Sequence, residues 1–340
     1  MCLKANGFRI KPGMTERTHK TFGVSVSMEN KITIITLGGN AIIRRGEKGT
    51  VEEQFAHADA CMTEVARMLK AGRKVIITHG NGPIVGNIVI RNECAKNTVA
   101  PMPLFMSDAD SEGGVGFMIQ QTLYNSLRRI GETREVATII TQVVVDKDDP
   151  AFLKPTKPIG PYYREDEAEA LRKEKGWELA GEPGGYRRVV PSPRPVRIIE
   201  TEVIKRLALE DVVVIAAGGG GVPVVEAADG TLRGIDAVVD KDLSTSTLAK
   251  AINAESIIIL TEVDMVYMNF GKEGQQGLRK ARVEELKRLS AEGHFPPGSM
   301  GPKIEAAVEF LEAGGKEVVI TRPELMREAL AGSAGTRITL

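Results

Sequence analysis

Three lysines stand where the chain could aim a cation at an anionic ligand: Lys157, Lys241 and Lys303. Lys241 lies in Asp240-Lys241-Asp242, at an expected helix start where Asp240 is a favourable N-cap. Lys303 follows Gly301-Pro302 on the first turn of another expected helix. Cations are unfavourable at a helix N-terminus, so a lysine set there suggests an anion between it and the helix dipole. Lys157 sits in Pro155-Thr156-Lys157-Pro158, where flanking prolines restrict the backbone and aim the side chain. Singly, each is as readily a solvated surface lysine. Together they suit phosphoryl transfer, in which catalysis is mainly positioning and stabilisation of charge on the moving group.

Four glycine turns accompany these lysines: Gly38-Gly39-Asn40, Gly80-Asn81-Gly82, Gly218-Gly219-Gly220-Gly221 and Gly298-Ser299-Met300-Gly301. Glycine lets backbone N–H groups close on an anion, and a following helix N-terminus adds partial positive charge. Neither G-x-x-x-x-G-K-[ST] nor a G-x-G-x-x-G opening a strand-to-helix turn occurs, which disfavours a P-loop ATPase and a standard dinucleotide enzyme.

The elements that must hold these turns alternate. Residues 32–37 read as a strand, Thr50 with Glu53 as a capping box opening a helix to Leu69, and 74–78 as a second strand. A helix follows Gly82, another spans about 115–129, and a strand 135–145. Residues 146–197 break the pattern with eight prolines and read as an inserted, lid-like subdomain. Beyond it the pattern resumes: helix 200–209, strand 212–216, a hairpin over 222–235 turning at Asp229-Gly230, helix 242–252, strand 256–260 and helix 303–313. Residues 318–321 and 337–340 can close the sheet. Alternating strands and helices predict an α/β fold with a parallel sheet covered on both faces, its turns gathered at the carboxyl ends of the strands.

The 340 residues carry 45 basic and 45 acidic side chains, so no sequence-wide charge attracts nucleic acid or an anionic membrane. No apolar run approaches the roughly 18 residues of a membrane span. Residues 1–30 lack the apolar core of a secretory signal and read as an extension outside the domain, which starts at Lys31. Cys2, Cys61 and Cys94 are dispersed and odd in number, and four histidines are scattered; reduced thiols in a cytoplasmic protein are expected, with no metal-ligand spacing.

With these residues assembled, the chain resembles the carbamate kinases within the amino acid kinase family. The likeness runs from about 32 to 340 and rests on Leu37-Gly-Gly-Asn-Ala41, Thr78-His-Gly-Asn-Gly-Pro83, Gly116-Phe-Met-Ile-Gln-Gln121, Pro155-Thr-Lys-Pro-Ile-Gly-Pro161, Ala217-Gly-Gly-Gly-Gly221, Asp240-Lys-Asp242 and Gly293-His-Phe-Pro-Pro-Gly-Ser-Met-Gly-Pro-Lys303. The resemblance implies a three-layer αβα sandwich, usually dimeric, with a protruding subdomain over 146–197. It implies reversible phosphoryl transfer between ATP and carbamate, giving ADP and carbamoyl phosphate, with Mg2+ carried by the nucleotide, often run to make ATP in arginine or purine catabolism.

By position, Gly38, Gly39 and Asn40 would line the phosphate path, where relatives acting on larger acids carry a lysine in place of Asn40. Gly80, Asn81 and Gly82 would hold carbamate, and Gly218, Gly219 and Gly220 would add a further phosphate-binding turn. Lys241 and Lys303 would stabilise the moving phosphoryl group, Asp242 would hold both lysines, and Lys157 would reach in from the subdomain. Thr261, Val263, Tyr267 and Met300 would border the nucleotide.

One departure stands out. The family usually has a neutral Met-Ser-Gln-Gly-type run where this chain has Asp108-Ala-Asp-Ser-Glu-Gly-Gly-Val115, with Asp110 and Glu112 in place of neutral residues. Carboxylates beside an anionic acceptor repel it unless they are paired or turned away. A relative that phosphorylates another small acid therefore stays open, as does a nucleotide-binding sensor that keeps the fold without turnover.

Overall fold

The computed structural model describes residues 32–39, 42–43, 47–182 and 184–340, so the expectation for residues 1–30 lies outside it. β1 (Ile32–Leu37) is buried along its whole length, as a strand covered on both faces must be. Its side chains alternate between two cores: Ile32 and Ile34 enter one, Ile35 and Leu37 the other. α1 (Val51–Lys70) opens on the expected capping box, with Thr50 Oγ1 accepting from Glu53 N at 3.3 Å and Glu53 Oε2 accepting from Thr50 N at 2.9 Å. β2 (Lys74–His79), α2 (Gly82–Ala95), α3 (Leu104–Arg129), β3 (Val136–Thr138) and β4 (Gln142–Val145) follow.

Two expectations change in this half. α3 starts at Leu104, well before residue 115, and its first turns bury polar side chains. Ser107, Asp108, Ser111 and Glu112 face inward there, so no apolar stripe marks the helix. The single strand expected over 135–145 is two strands in different sheets, with the break at residues 139–141.

The proline-rich stretch folds into β5 (Lys157–Tyr163), α4 (Glu165–Lys175), β6 (Leu179–Glu182), β7 (Gly185–Val190) and β8 (Pro195–Ile198). β5, β7 and β6 form an antiparallel sheet of their own, while β8 pairs with β4 in a second sheet. The small sheet packs on α2 so closely that a Cβ on Gly86 would stand 2.5 Å from Gly160 Cα.

α5 (Thr201–Leu209), β9 (Val213–Ile215), the expected hairpin of β10 (Val222–Glu226) and β11 (Leu232–Gly234), α6 (Lys241–Ile252) and β12 (Ser256–Leu260) come next. β13 (Val266–Met268), β14 (Gln276–Leu278), β15 (Lys280–Arg282) and α7 (Val283–Ala291) fill a region the sequence left unassigned. α8 (Met300–Glu312), β16 (Glu317–Thr321), α9 (Met326–Leu330) and β17 (Thr336–Thr339) complete the order.

The main sheet runs β15-β17-β16-β12-β1-β2-β9-β3 and is parallel except where β17 pairs with β16. α5 to α8 cover one face; α1, α3 and α9 cover the other. Each buried Ile, Leu or Val in these layers contributes about 1.5–3 kcal/mol relative to exposure. This is the three-layer αβα arrangement. Because β1, β2, β9 and β12 are parallel neighbours, the turns after them open on one edge of the sheet.

Candidate active site

The turns after β1 and β2 touch. Gly38 N donates to Leu260 O at 3.0 Å and Gly80 N to Leu37 O at 2.8 Å, which staples each turn to the neighbouring strand. A Cβ on Gly80 would lie 2.8 Å from Gly39 N and 3.1 Å from Lys241 Cδ, so only glycine lets turn, turn and lysine meet there. Asn40 lies outside the described residues.

The α6 N-terminus carries the charged centre. Asp240 caps it, its Oδ1 accepting from Asp242 N at 2.9 Å and Leu243 N at 3.4 Å. Lys241 then turns back to Asp242 Oδ1 at 2.6 Å and Thr36 Oγ1 at 3.3 Å. Lys303, from the first turns of α8, reaches Asp242 Oδ2 at 3.1 Å and Ser299 O at 3.2 Å. One carboxylate, 3% exposed, therefore holds two ammonium groups at a common point. Burial alone would raise the Asp242 carboxyl, but the Lys241 and Lys303 ammoniums outweigh it and hold the group well below the usual range. Burial also draws the Lys241 ammonium below its ordinary value, against the pull of Asp242. Lys157 arrives from β5 and donates to Asp240 Oδ2 at 2.7 Å. The three sequence-predicted lysines and Asp242 are thus brought together.

The Gly218 turn is placed differently. Gly218, Gly219 and Gly220 are buried, and two of their three amides are spent inside the protein. Gly218 N donates to Glu112 Oε1 at 2.9 Å and Gly220 N to Ala217 O at 3.2 Å. A Cβ on Gly218 would lie 2.4 Å from His79 Nε2, and one on Gly219 2.1 Å from Asn81 Nδ2. This turn therefore backs the Gly80-Asn81-Gly82 turn. Asn81 is held from behind as well, donating to Ser111 Oγ at 2.6 Å.

The acidic departure resolves into three different environments. Asp110 is exposed on α3. Glu112 is buried and ties Gly218 N to Thr141 N, the latter at 3.1 Å, in the break between β3 and β4. Burial pushes its carboxyl up to about 8 and that of Asp108 well above its ordinary value, so Glu112 is largely protonated at neutral pH. A protonated Glu112 carries no charge that would repel an anion. His79 is buried too, and burial pulls its ring down to about 4, leaving it neutral.

Among the proposed nucleotide contacts, Met300 opens α8 three residues before Lys303, and Thr261 follows β12 at the shared edge, its N donating to Thr321 O at 2.8 Å. Val263 and Tyr267 are partly exposed, and Tyr267 Oη donates to Asp264 Oδ1 at 2.7 Å. Among the described residues no hydrogen bond joins either of them to the lysines. Sequence reasoning missed Thr36 and the second role of Asp240; of the outcomes it left open for Glu112, the structure shows the paired one, with both oxygens on backbone amides. The signal for Asp240 lay in the triplet Asp240-Lys241-Asp242, where a capping carboxylate keeps one oxygen free.

Known proteins resemble this chain over most of its length. A family model described as "Amino acid kinase family" matches residues 31–322. A carbamate kinase of Pyrococcus horikoshii is 46% identical over 309 residues, 90% of this chain and 98% of the relative. A carbamate kinase of Trichomonas vaginalis is 42% identical over 308 residues, again 90% of this chain and 98% of the relative. The solved carbamate kinase from Giardia lamblia bound to AMP-PNP superposes with a TM-score of 0.84 at 41% identity, covering 91% of this chain and 98% of that one. The chain belongs to the amino acid kinase family, and within that family to the carbamate kinases.

Proposed function

We propose that this protein catalyses reversible phosphoryl transfer between ATP and carbamate, giving ADP and carbamoyl phosphate, and that its use is to make ATP. The observation that carries the reading is the pair of ammonium groups, Lys241 and Lys303, set on opposite oxygens of one buried carboxylate. An in-line phosphoryl group gathers negative charge on its equatorial oxygens as it moves. Two preorganised cations stabilise that charge without reorganising at the moment of reaction. Asp242 holds both of them, Lys157 adds a third cation, and the Gly80-Asn81-Gly82 turn, whose Gly80 amide is bonded to Leu37 O, leads into the N-terminus of α2. Mg2+ carried on the nucleotide would supply neutralisation of phosphate charge, held there and not by Asp240 or Asp242, which are both engaged by ammonium groups.

Carbamate is the proposed acceptor because the relatives that match 90% of this chain at 42–46% identity are carbamate kinases. Thr261, Val263, Tyr267 and Met300 are the proposed border of the nucleotide. Residues 146–197 serve as a subdomain that brings Lys157 to the site. A cytoplasmic location is part of the proposal; no helix among the described residues is long and apolar enough to cross a membrane. A homodimer is proposed through the outer face of α3, which exposes Phe117 and Tyr124 beside Gly114. Presenting ATP and Mg2+ with carbamate, bicarbonate or acetate, and following ADP release, tests the acceptor. The account expects carbamate to win on kcat/KM by at least about tenfold, or ~1.4 kcal/mol; equal rates with acetate would remove carbamate as the substrate.

A further inference from the structure

We infer that Asp240 is a positioning residue for phosphoryl transfer, fixing the Lys157 ammonium to the helix that carries Lys241 and Asp242. The two oxygens of its carboxylate do separate work. Oδ1 accepts from Asp242 N and Leu243 N and caps α6. Oδ2 takes no part in the cap and accepts from Lys157 Nζ at 2.7 Å. A single side chain thus joins the small sheet, through the first residue of β5, to the N-terminus of α6.

The backbone supports the same junction from both sides. Val238 N, two residues before Asp240, donates to Pro191 O at 2.9 Å, one residue past the end of β7. Thr156 N, next to Lys157, donates to Val190 O at 3.2 Å. Lys157 also pairs in register with Val190, so the strand bearing the lysine and the loop leading to Asp240 are both tied to the segment Val190-Pro191. Ile159, Val190 and Val238 then share one small apolar core. Lys157 is therefore delivered by a local frame that ends on Asp240.

The Lys157–Asp240 pair is partly open to solvent, with side chains 31% and 14% exposed. Such a pair contributes little to stability. Its consequence falls on geometry. Without the carboxylate, a lysine with four rotatable bonds samples many positions, and few place its ammonium beside Lys241 and Lys303. With it, Lys157 is held on the residue that directly precedes Lys241 in the chain. The inference rests on the proposed role of Lys157, and the experiment separates the two.

The test is a double-mutant cycle on the full chain: wild type, Asp240→Asn, Lys157→Ala and both together, each with kcat, KM for ADP and thermal midpoint. Asparagine caps a helix about as well as aspartate, so the α6 N-terminus is kept while the charge facing Lys157 is lost. Asp240→Ser, which also caps, stands in if the asparagine variant fails to fold. Lys157→Ala is expected to lower kcat about 10²-fold, as loss of one transition-state charge contact does. Asp240→Asn is expected to lower kcat about tenfold with an unchanged thermal midpoint, and less than about twofold further once Lys157 is gone. The same fold loss in both backgrounds would mean a merely structural role and overturns the inference. A loss in Lys157→Ala with none in Asp240→Asn overturns it alone. Wild-type turnover by Lys157→Ala overturns both it and the reading of Lys157.

Discussion

Changing Asp242 to asparagine keeps the shape of the side chain and removes the charge that two lysines share. Lys241 Nζ lies 2.6 Å from one oxygen and Lys303 Nζ 3.1 Å from the other, around a carboxylate 3% exposed. At an effective dielectric of about 20, each attraction at such separations is worth roughly 5–6 kcal/mol before desolvation. Desolvation returns most of this, yet removing one partner of a buried ionic cluster still costs about 3–5 kcal/mol. The two ammoniums then face each other without a counter-charge. They relieve the repulsion by moving apart or by shedding a proton, and either change removes a cation from the path of the phosphoryl group. A loss of about 10²–10³ in kcat is the expected scale for one such preorganised contact, and here two are disturbed. ATP formation from ADP and carbamoyl phosphate, read through a coupled enzyme, gives kcat and KM, and urea unfolding run in parallel gives the stability change. A folded Asp242→Asn protein that turns over within about threefold of wild type would refute the shared-carboxylate reasoning.

Two further outcomes follow from residues around the site. Gly220→Ala should unfold the protein far more easily, by about 3 kcal/mol or more, because its φ is +102° and a Cβ would stand 2.3 Å from Val239 O; a chemical denaturation midpoint close to wild type would contradict this. Glu112 ionises near 4.5 when unfolded but stays protonated up to about 8 when folded, so the native state loses stability as pH rises between those values. Glu112→Gln cannot ionise, and its stability relative to wild type should improve from pH 5 to pH 8 by on the order of a few kcal/mol. A pH-independent difference between the two proteins, measured by urea unfolding, would show that the buried carboxyl does not titrate in this way.

The sequence was most legible where hydrophobic period and capping chemistry act locally. Ile32 to Leu37, the Thr50–Glu53 box and the Asp240 cap lie where expected, because each depends on neighbours within a few residues. That Lys241 and Lys303 share one edge was foreseeable, since helices that return to parallel strands begin at the carboxyl ends of the sheet, whereas Lys157, on the separate β5-β7-β6 sheet, was placed there only by the resemblance. What stayed hidden depends on distant partners. The first turns of α3 bury Ser107, Asp108, Ser111 and Glu112, and only the fold supplies the Gly218 and Thr141 amides that make this tolerable. The Gly218 run read as a phosphate cradle because glycine looks alike whether it approaches a ligand or a neighbouring side chain. Here the close neighbours are His79, Asn81 and Val239. The short strands β13 to β15 lack the length for a period-two pattern to register.

Steady-state ATP formation from ADP, Mg2+ and carbamoyl phosphate, measured for wild type beside Lys303→Ala, goes straight to whether the α6 and α8 lysines form one phosphoryl-transfer site. The account predicts sustained ATP synthesis by wild type and a kcat lower by about 10²-fold or more in the variant, with its fold retained. No ATP from folded wild-type protein, or equal kcat in the two proteins, would contradict it.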